Sequence, residues 1–517
     1  MDPSANPHGT LHRRRDILWL VGLLVLATGY YWIIQWRHFG YWSDTTLYIA
    51  GARSLAEGHG YNFGAHYGTP RIGLYPPVQS AWMALWWKFN PNFPDNIPWL
   101  NASMIVLAVG SLGCGFYYLR KQSVPPVAAA AAMLTWGFSA KWSNFIFWLS
   151  SDIGFCGLGI AIACLWLRPL KNREIPWWLT GFFLALAYCW RTAAVGLIAG
   201  TGLVALWQVR QRRFVPLLAI GLPTGIAFFT WRALSAGSPG YLAIWPEFIR
   251  DLGGWSGYVL QVLKNIGSCV RGQPFWDMIC GAIARLPERI GGKNAAAGLL
   301  AGLITMAAFW LFARLVWKGW RTGTTDLDRA LAVIAGVYTL QVVVVPFGPE
   351  HFHRYFYLFL TPAFAWAWRG WQQTQLPASW QSRVTIGAIA SFMGLFLANA
   401  QKIRKDRLYM EELLPLSELK EAADWTRNNT PTEAHVAIDF RLPIEHFHAW
   451  LGRPLVVDYF HPTYRTSPVA YAAQGGIKAD YVLVCTKGPE IYTPPARFPI
   501  VFRSHSDRFR VVQVVPQ

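Results

Sequence analysis

Asp44 is the residue whose type and setting best suit acid–base chemistry. It stands in Tyr41-Trp42-Ser43-Asp44-Thr45-Thr46, directly after the first long apolar segment of the chain. A helix is expected from Thr45 to Glu57, closed by Gly58 and Gly60, because glycine just past the last turn accepts a left-handed backbone. Tyr48, four residues on, then shares the face of Asp44. A carboxylate held just outside a membrane helix is a candidate general base; the same residue could serve as an N-cap alone. Glu57 and Tyr75, the latter followed by Pro76-Pro77, are further candidates in this stretch.

A second chemistry is the binding of an anion. Arg354 is preferred for a phosphate, because its guanidinium forks onto two oxygens at once. His353, Lys141 and Arg191 are second choices. Lys141, Arg191 and Arg354 are the single cations of three short loops, where the alternative role is to reach lipid headgroups. Asp152 follows Ser150-Ser151 and is either a functional acid or the cap of the next helix. Glu350-His351-Phe352-His353-Arg354-Tyr355 gathers two histidines, an acid and an arginine. His351 and His353 are metal ligands by type, but two histidines without a third partner do not make a site. No metal residue is assigned, and the need for a divalent cation stays open. Neither a CxxC pair, an HExxH, a P-loop nor a GxGxxG after a strand is present, so no nucleotide site is read.

These groups must be positioned by membrane helices. Of 517 residues, 53% are hydrophobic, 16% aromatic and only 14% charged, against roughly a quarter charged in soluble domains. The 29 tryptophans suit a chain with many water–lipid interfaces. The net charge of +19 does not mark a nucleic-acid binder, because the cations fall in short gaps between apolar runs. Eleven spans are expected, near 17–36, 98–118, 124–140, 147–167, 176–190, 193–209, 214–231, 294–313, 329–346, 355–369 and 383–400. His12-Arg13-Arg14-Arg15 before the first apolar run makes it a retained signal anchor with a cytoplasmic N-terminus. Alternate loops then hold at least two cations each (Arg120 and Lys121; Arg168, Lys171 and Arg173; Arg210, Arg212 and Arg213; Arg314, Lys318 and Arg321; Arg369 and Arg383), the positive-inside pattern. The external face carries a long first loop, 37–97, with an aromatic run Trp82–Phe89, and a second, roughly 232–293, whose amphipathic piece near Tyr258–Ile266 should lie on the membrane. Cys269 and Cys280 in that loop form a candidate disulfide.

The fold class expected is an α-helical polytopic membrane protein, residues 1–400, followed by a small extracytoplasmic α/β domain, 401–517. In the latter Glu418–Asn428 reads as a helix and His435–Phe440, Tyr481–Thr486, Ile500–Ser504 and Phe509–Val514 as strands. Its Asp439, His446, His448 and Asp458 are scattered and form no catalytic group.

Taken in order, Asp44-Thr-Thr-Leu-Tyr48 with Ala52 and Gly58, then Tyr75-Pro76-Pro77, Ser151-Asp152, Arg354-Tyr355 with Pro362, and Ala423-Asp424-Trp425-Thr426-Arg427-Asn428-Asn429-Thr430-Pro431 resemble the GT-C superfamily of membrane glycosyltransferases, of the protein mannosyltransferase and aminoarabinose transferase type. The chain departs from some members in having Tyr75 where they carry a basic residue, and in lacking an Asp-x-Asp in the first loop. The resemblance implies a polyprenyl-phosphate-linked sugar as donor, a bacterial inner-membrane location and transfer on the external face. Asp44 would take the acceptor's proton and Arg354 would face the leaving phosphate, with inversion at the anomeric carbon. The acceptor, whether lipid, glycan or protein, is not encoded in any motif. The rival class is a lipid transporter or flippase. It is disfavoured because the spans hold few ionisable residues and show no matching halves with broken helices.

Overall fold

Apolar runs of this length have one economical solution in lipid, the helix, which satisfies its own backbone polar groups. The computed structural model describes residues 7–35, 43–61, 75–93, 95–167, 175–209, 214–235, 241–284, 294–323, 325–348, 352–374, 416–438, 455–456, 467–486 and 496–515, with isolated positions between 377 and 401. Its helices are α1 (Pro7–Gln35), α2 (Ser43–Ala56), α3 (Val78–Trp87), α4 (Ile97–Lys121), α5 (Pro126–Gly137), α6 (Ala140–Phe147), α7 (Asp152–Trp166), α8 (Trp177–Trp190), α9 (Val195–Val209), α10 (Val215–Leu234), α11 (Tyr241–Asp251), α12 (Trp255–Val270), α13 (Gln273–Ala284), α14 (Ala295–Thr322), α15 (Asp326–Val344) and α16 (His353–Gln372). Ten of the eleven expected segments coincide with helices in this set; the last, 383–400, lies outside the described residues apart from isolated positions.

By length and hydropathy, five described helices qualify as spans on their own: the Arg14–Ile34 part of α1, α4, α10, α14 and α15. The pair α6 and α7 qualifies only jointly, across a bend of 117°. Helices α5 and α8 have 12 and 14 residues. At about 1.5 Å per residue they fall short of a hydrocarbon core about 30 Å thick.

The helices approach closely where side chains are absent, as is usual between membrane helices. A Cβ on Gly319 of α14 would stand 1.8 Å from the Trp366 carbonyl of α16, and one on Gly181 of α8 1.8 Å from the Ala219 carbonyl of α10. Two of the expected inside cations turn out to be ion-paired. Arg120 holds Asp16 of α1 at 2.8 Å. Arg369, near the end of α16, grips buried Asp328 of α15 at 2.7 and 3.0 Å, and Trp366 Nε1 donates to the same carboxylate at 2.6 Å.

In the second loop α12 is longer than its expected amphipathic piece. Its exposed face is mostly apolar (Val259, Leu260, Leu263, Ile266), with Ser256 and Lys264 among it, while Asn265 and Ser268 are buried. That is the reverse of a water-facing helix and fits one lying against lipid. Cys269 is a free thiol, so the candidate disulfide with Cys280 is not made.

After residue 415 the chain forms α17 (Leu416–Asn429), β1 (Val436–Ile438), β2 (Leu455–Val456), α18 (Pro468–Ala473), β3 (Tyr481–Cys485), β4 (Ile500–Arg503) and β5 (Phe509–Gln513). The sheet order is β2-β1-β3-β5-β4, with β1 parallel to β2 and β3, and β5 antiparallel to β3 and β4. The two-residue alternation of strands sorts its side chains. Val436, Ile438, Leu483 and Cys485 face Leu419, Ala422 and Ala423 of α17, whereas Ala437, Val482 and Val484 face Val469, Ala472 and Ala473 of α18. Phe93, from the segment between α3 and α4, packs against the α17 side of this core and against the helical core as well, stacking on Trp87 at 5.8 Å.

Candidate active site

The site is built on two chain breaks. The first separates α6 from α7. Leu149 takes a positive φ of 48°, unusual for a branched side chain, and lets the Ser150 amide bond back to the Phe145 carbonyl at 2.9 Å. The chain then leaves in a new direction through Ser150, Ser151 and Asp152. The second break follows Trp190, where Arg191 is extended (φ −156°, ψ 128°) between α8 and a short 3-10 turn, Thr192–Ala194. A residue released from a helix can aim its side chain independently of the helical face.

Between the breaks lies a buried ion cluster. Asp152 is fully buried. Arg354, in the first turn of α16, donates from Nε and Nη2 to its Oδ2 at 3.1 and 2.9 Å. Ser150 Oγ donates to the same oxygen. Arg191 Nη1 stands 3.0 Å from Oδ1, an ion-pair distance without the angle of a hydrogen bond. Arg191 also donates to Ser151 Oγ at 3.0 Å, and its guanidinium lies over the Tyr355 ring at 5.3 Å from the centroid. Two guanidiniums against one carboxylate leave a net positive charge at a nearly dry position, which suits an anion.

The stretch that contains Asp44 is seated on this cluster. The Thr45 hydroxyl donates to the Trp148 carbonyl, and Tyr48 OH donates to Ser151 Oγ at 2.9 Å. Tyr75 lies edge-on to Tyr48, with ring centroids 5.7 Å apart, and its carbonyl accepts from Tyr61 OH at 2.9 Å. Helix α2 ends as expected, with Gly58 and Gly60 at φ of 82° and 73°.

The sequence candidates therefore divide. Asp152, Arg191, Arg354, Tyr48 and Tyr75 come together. Asp44 is the second residue of α2, one turn before Tyr48; its side chain lies outside the described residues. Lys141 is the second residue of α6, two after Ser139, whose hydroxyl is 3.0 Å from Tyr357 OH, one turn beyond Arg354. His353 begins α16, its side chain outside the described residues, and His351 lies outside them altogether. Glu57 is exposed at the far end of α2, paired with Arg53 at 2.7 Å. Asp152 is not a cap: Ser151 is the N-cap residue of α7, and the Asp152 carboxylate is turned to the arginines. Sequence reasoning missed Gln79 and Trp190, which border the cluster; the signal for Gln79 was an amide within an apolar helix two residues past Pro76-Pro77. Among the described residues no three His, Cys, Asp or Glu side chains gather as a metal site.

No family model and no curated protein matches the chain. Solved structures do. ArnT from Cupriavidus metallidurans bound to undecaprenyl phosphate matches with a TM-score of 0.58 at 12% identity, over 96% of this chain and 98% of that one. The oligosaccharyltransferase of Archaeoglobus fulgidus in complex with Zn and sulfate matches with a TM-score of 0.55 at 13% identity, over 90% of this chain and 68% of that one. The chain thus has the fold of the GT-C membrane glycosyltransferases.

Proposed function

We propose that the chain is a membrane glycosyltransferase that moves a sugar from a polyprenyl-phosphate donor to an acceptor. The reaction takes place at the end of the helix bundle that carries Asp152, the external face of a bacterial inner membrane. The observation that carries this reading is the buried Asp152–Arg191–Arg354 cluster seated beside the first turn of α2. The likeness to ArnT, whose structure contains undecaprenyl phosphate, supports a lipid phosphate as the anion.

The chemistry follows from the charges. Asp44 takes the proton of the acceptor as it attacks the anomeric carbon. The phosphate leaves as an anion, so it needs cations more than it needs an acid. Arg354 and Arg191 supply them, with Lys141 and His353 in reserve. Asp152 holds the two guanidiniums together and partly neutralised until the phosphate arrives. A single base acting through the acceptor, without a covalent sugar–enzyme intermediate, inverts the anomeric centre. The isoprenoid lies along the lipid-facing helices.

The test is transfer from a panel of polyprenyl-phosphate sugars by wild type, Asp44→Asn and Arg354→Ala, with and without chelator. Turnover by wild type, a loss of about 10²–10⁴-fold in Asp44→Asn and an inverted product are expected. Full activity of folded Asp44→Asn would reduce Asp44 to a helix cap. A wild type that moves lipid but transfers no sugar would favour a transporter.

A further inference from the structure

Gln79 is the second residue of α3 and is fully buried. Its amide nitrogen donates to the Leu149 carbonyl at 2.9 Å and points toward the sulfurs of Met83 and Met104 at 3.5 and 3.3 Å. Its amide oxygen accepts from Trp190 Nε1 at 2.8 Å. Chemistry fixes this orientation, since an indole N–H only donates and a carbonyl only accepts. Each partner stands at one of the two chain breaks. Leu149 holds the positive-φ turn three residues before Asp152, and Trp190 is the last helical residue before Arg191. The Trp190 ring also lies against α7: a Cβ on Gly154 would stand 2.1 Å from its Cε2 and Cζ2 and 2.5 Å from Nε1 itself. Trp190 is therefore held by both α7 and Gln79, and the chain leaves its helix at the next residue.

We propose that Gln79 is a positioning residue that sets Arg191 against Asp152, by tying Trp190 to the Leu149 turn. The inference rests on reading the Asp152–Arg191–Arg354 cluster as the phosphate site. Most replacements lose the tie: Asn is one methylene short, Leu offers neither bond, and ionised Glu lacks the donor. Protonated Glu, however, presents an O–H for the Leu149 carbonyl and a C=O for Trp190. On the elements it touches, the nearest charged groups are Asp152 beyond Leu149 and Arg191 beyond Trp190.

The experiment uses the full chain in lipid nanodiscs and measures binding of sugar-free undecaprenyl phosphate against the phosphate-free polyprenol. Gln79→Leu should raise Kd about tenfold. Gln79→Glu should match wild type at about pH 5.5 and approach Gln79→Leu at about pH 9, because burial favours the neutral acid until high pH. Folded Gln79→Leu binding within about twofold of wild type, or a Gln79→Glu to wild-type ratio that stays flat with pH, overturns the proposal. If Gln79→Leu does not fold, the Gln79→Glu profile alone decides. A double-mutant cycle of Gln79→Glu with Arg191→Gln in thermal unfolding at high pH is the second readout. Coupling is expected, and strict additivity overturns the tie. If wild type itself binds no polyprenyl phosphate, the phosphate-site reading falls, and the cycle still decides whether Gln79 holds Arg191.

Discussion

Asp152 is surrounded by groups that donate, and removing its charge leaves two guanidiniums in a nearly dry place. Asp152→Asn should therefore cost about 3–5 kcal/mol of stability, seen as a lower thermal midpoint in detergent; an unchanged midpoint would mean that water reaches the cluster. Tyr48→Phe deletes one hydroxyl bond to Ser151 and should cost about 1 kcal/mol, with transfer falling by about fivefold as the first turn of α2 loosens. At this scale the sequence was informative about type and poor about company. Asp152, Arg191 and Arg354 were each conspicuous as a charge next to an apolar run. Their meeting was not legible, because it depends on helices far apart in the chain and on a leucine at positive φ that no turn motif announces. Gln79 passed unnoticed for the opposite reason: a neutral amide at an apolar helix start looks like tolerated polarity until its two partners are seen.

Helices α7 and α8 meet through a contact with no slack. Gly154→Ala would drive a methyl group into the Trp190 ring, which is rigid and already tied through Nε1 to Gln79. About 1–3 kcal/mol of overpacking is expected, and polyprenyl-phosphate binding should weaken with it, because the displaced residue adjoins Arg191; equal Kd values for Gly154→Ala and wild type would sink this. The elements themselves were well marked in sequence. Apolar runs located the helices, although α1 begins ten residues before its expected start and α14 runs nine beyond its expected end, and Gly58 and Gly60 marked the end of α2. The strand segments expected near 436, 481, 500 and 509 formed, although β2 and α18 were missed, being two and six residues long. What hydropathy could not convey is that α5 and α8, at 12 and 14 residues, are too short to span alone and that the helix pair α6–α7 is bent by 117°. A window average is blind to where a helix breaks.

Across the whole molecule the sheet is fastened to the helices by Phe93, and by electrostatics it is fastened to itself. Glu418 is buried against Ser504 and Ser506, which donate to it at 2.6 Å each. Burial alone would raise its carboxyl, but these bonds, with His505 and Arg508 nearby, hold it below the ordinary value of 4.5. Asp507 is lowered mainly by its bonds from Arg510. A folded-state value below the unfolded one gives stability that is fully present above the unfolded value and is lost as pH falls through the folded one. Hydrogen exchange in β5, corrected for intrinsic rate, should therefore accelerate once pH drops below about 4.5, and Glu418→Gln should flatten that response. Phe93→Ala should speed exchange at neutral pH in the core it packs against, which α17 and β3 share; no change there would mean that the contact bears no weight.

The double contact of Phe93 also sets an order of events in biosynthesis. The core it packs against in the C-terminal unit begins at Leu419, more than three hundred residues later in the chain. At about 5–20 residues per second, a ribosome needs roughly 15–60 s to make them. Throughout that interval the nascent protein displays an uncapped aromatic ring beside α3, a mark by which an unfinished chain differs from a finished one.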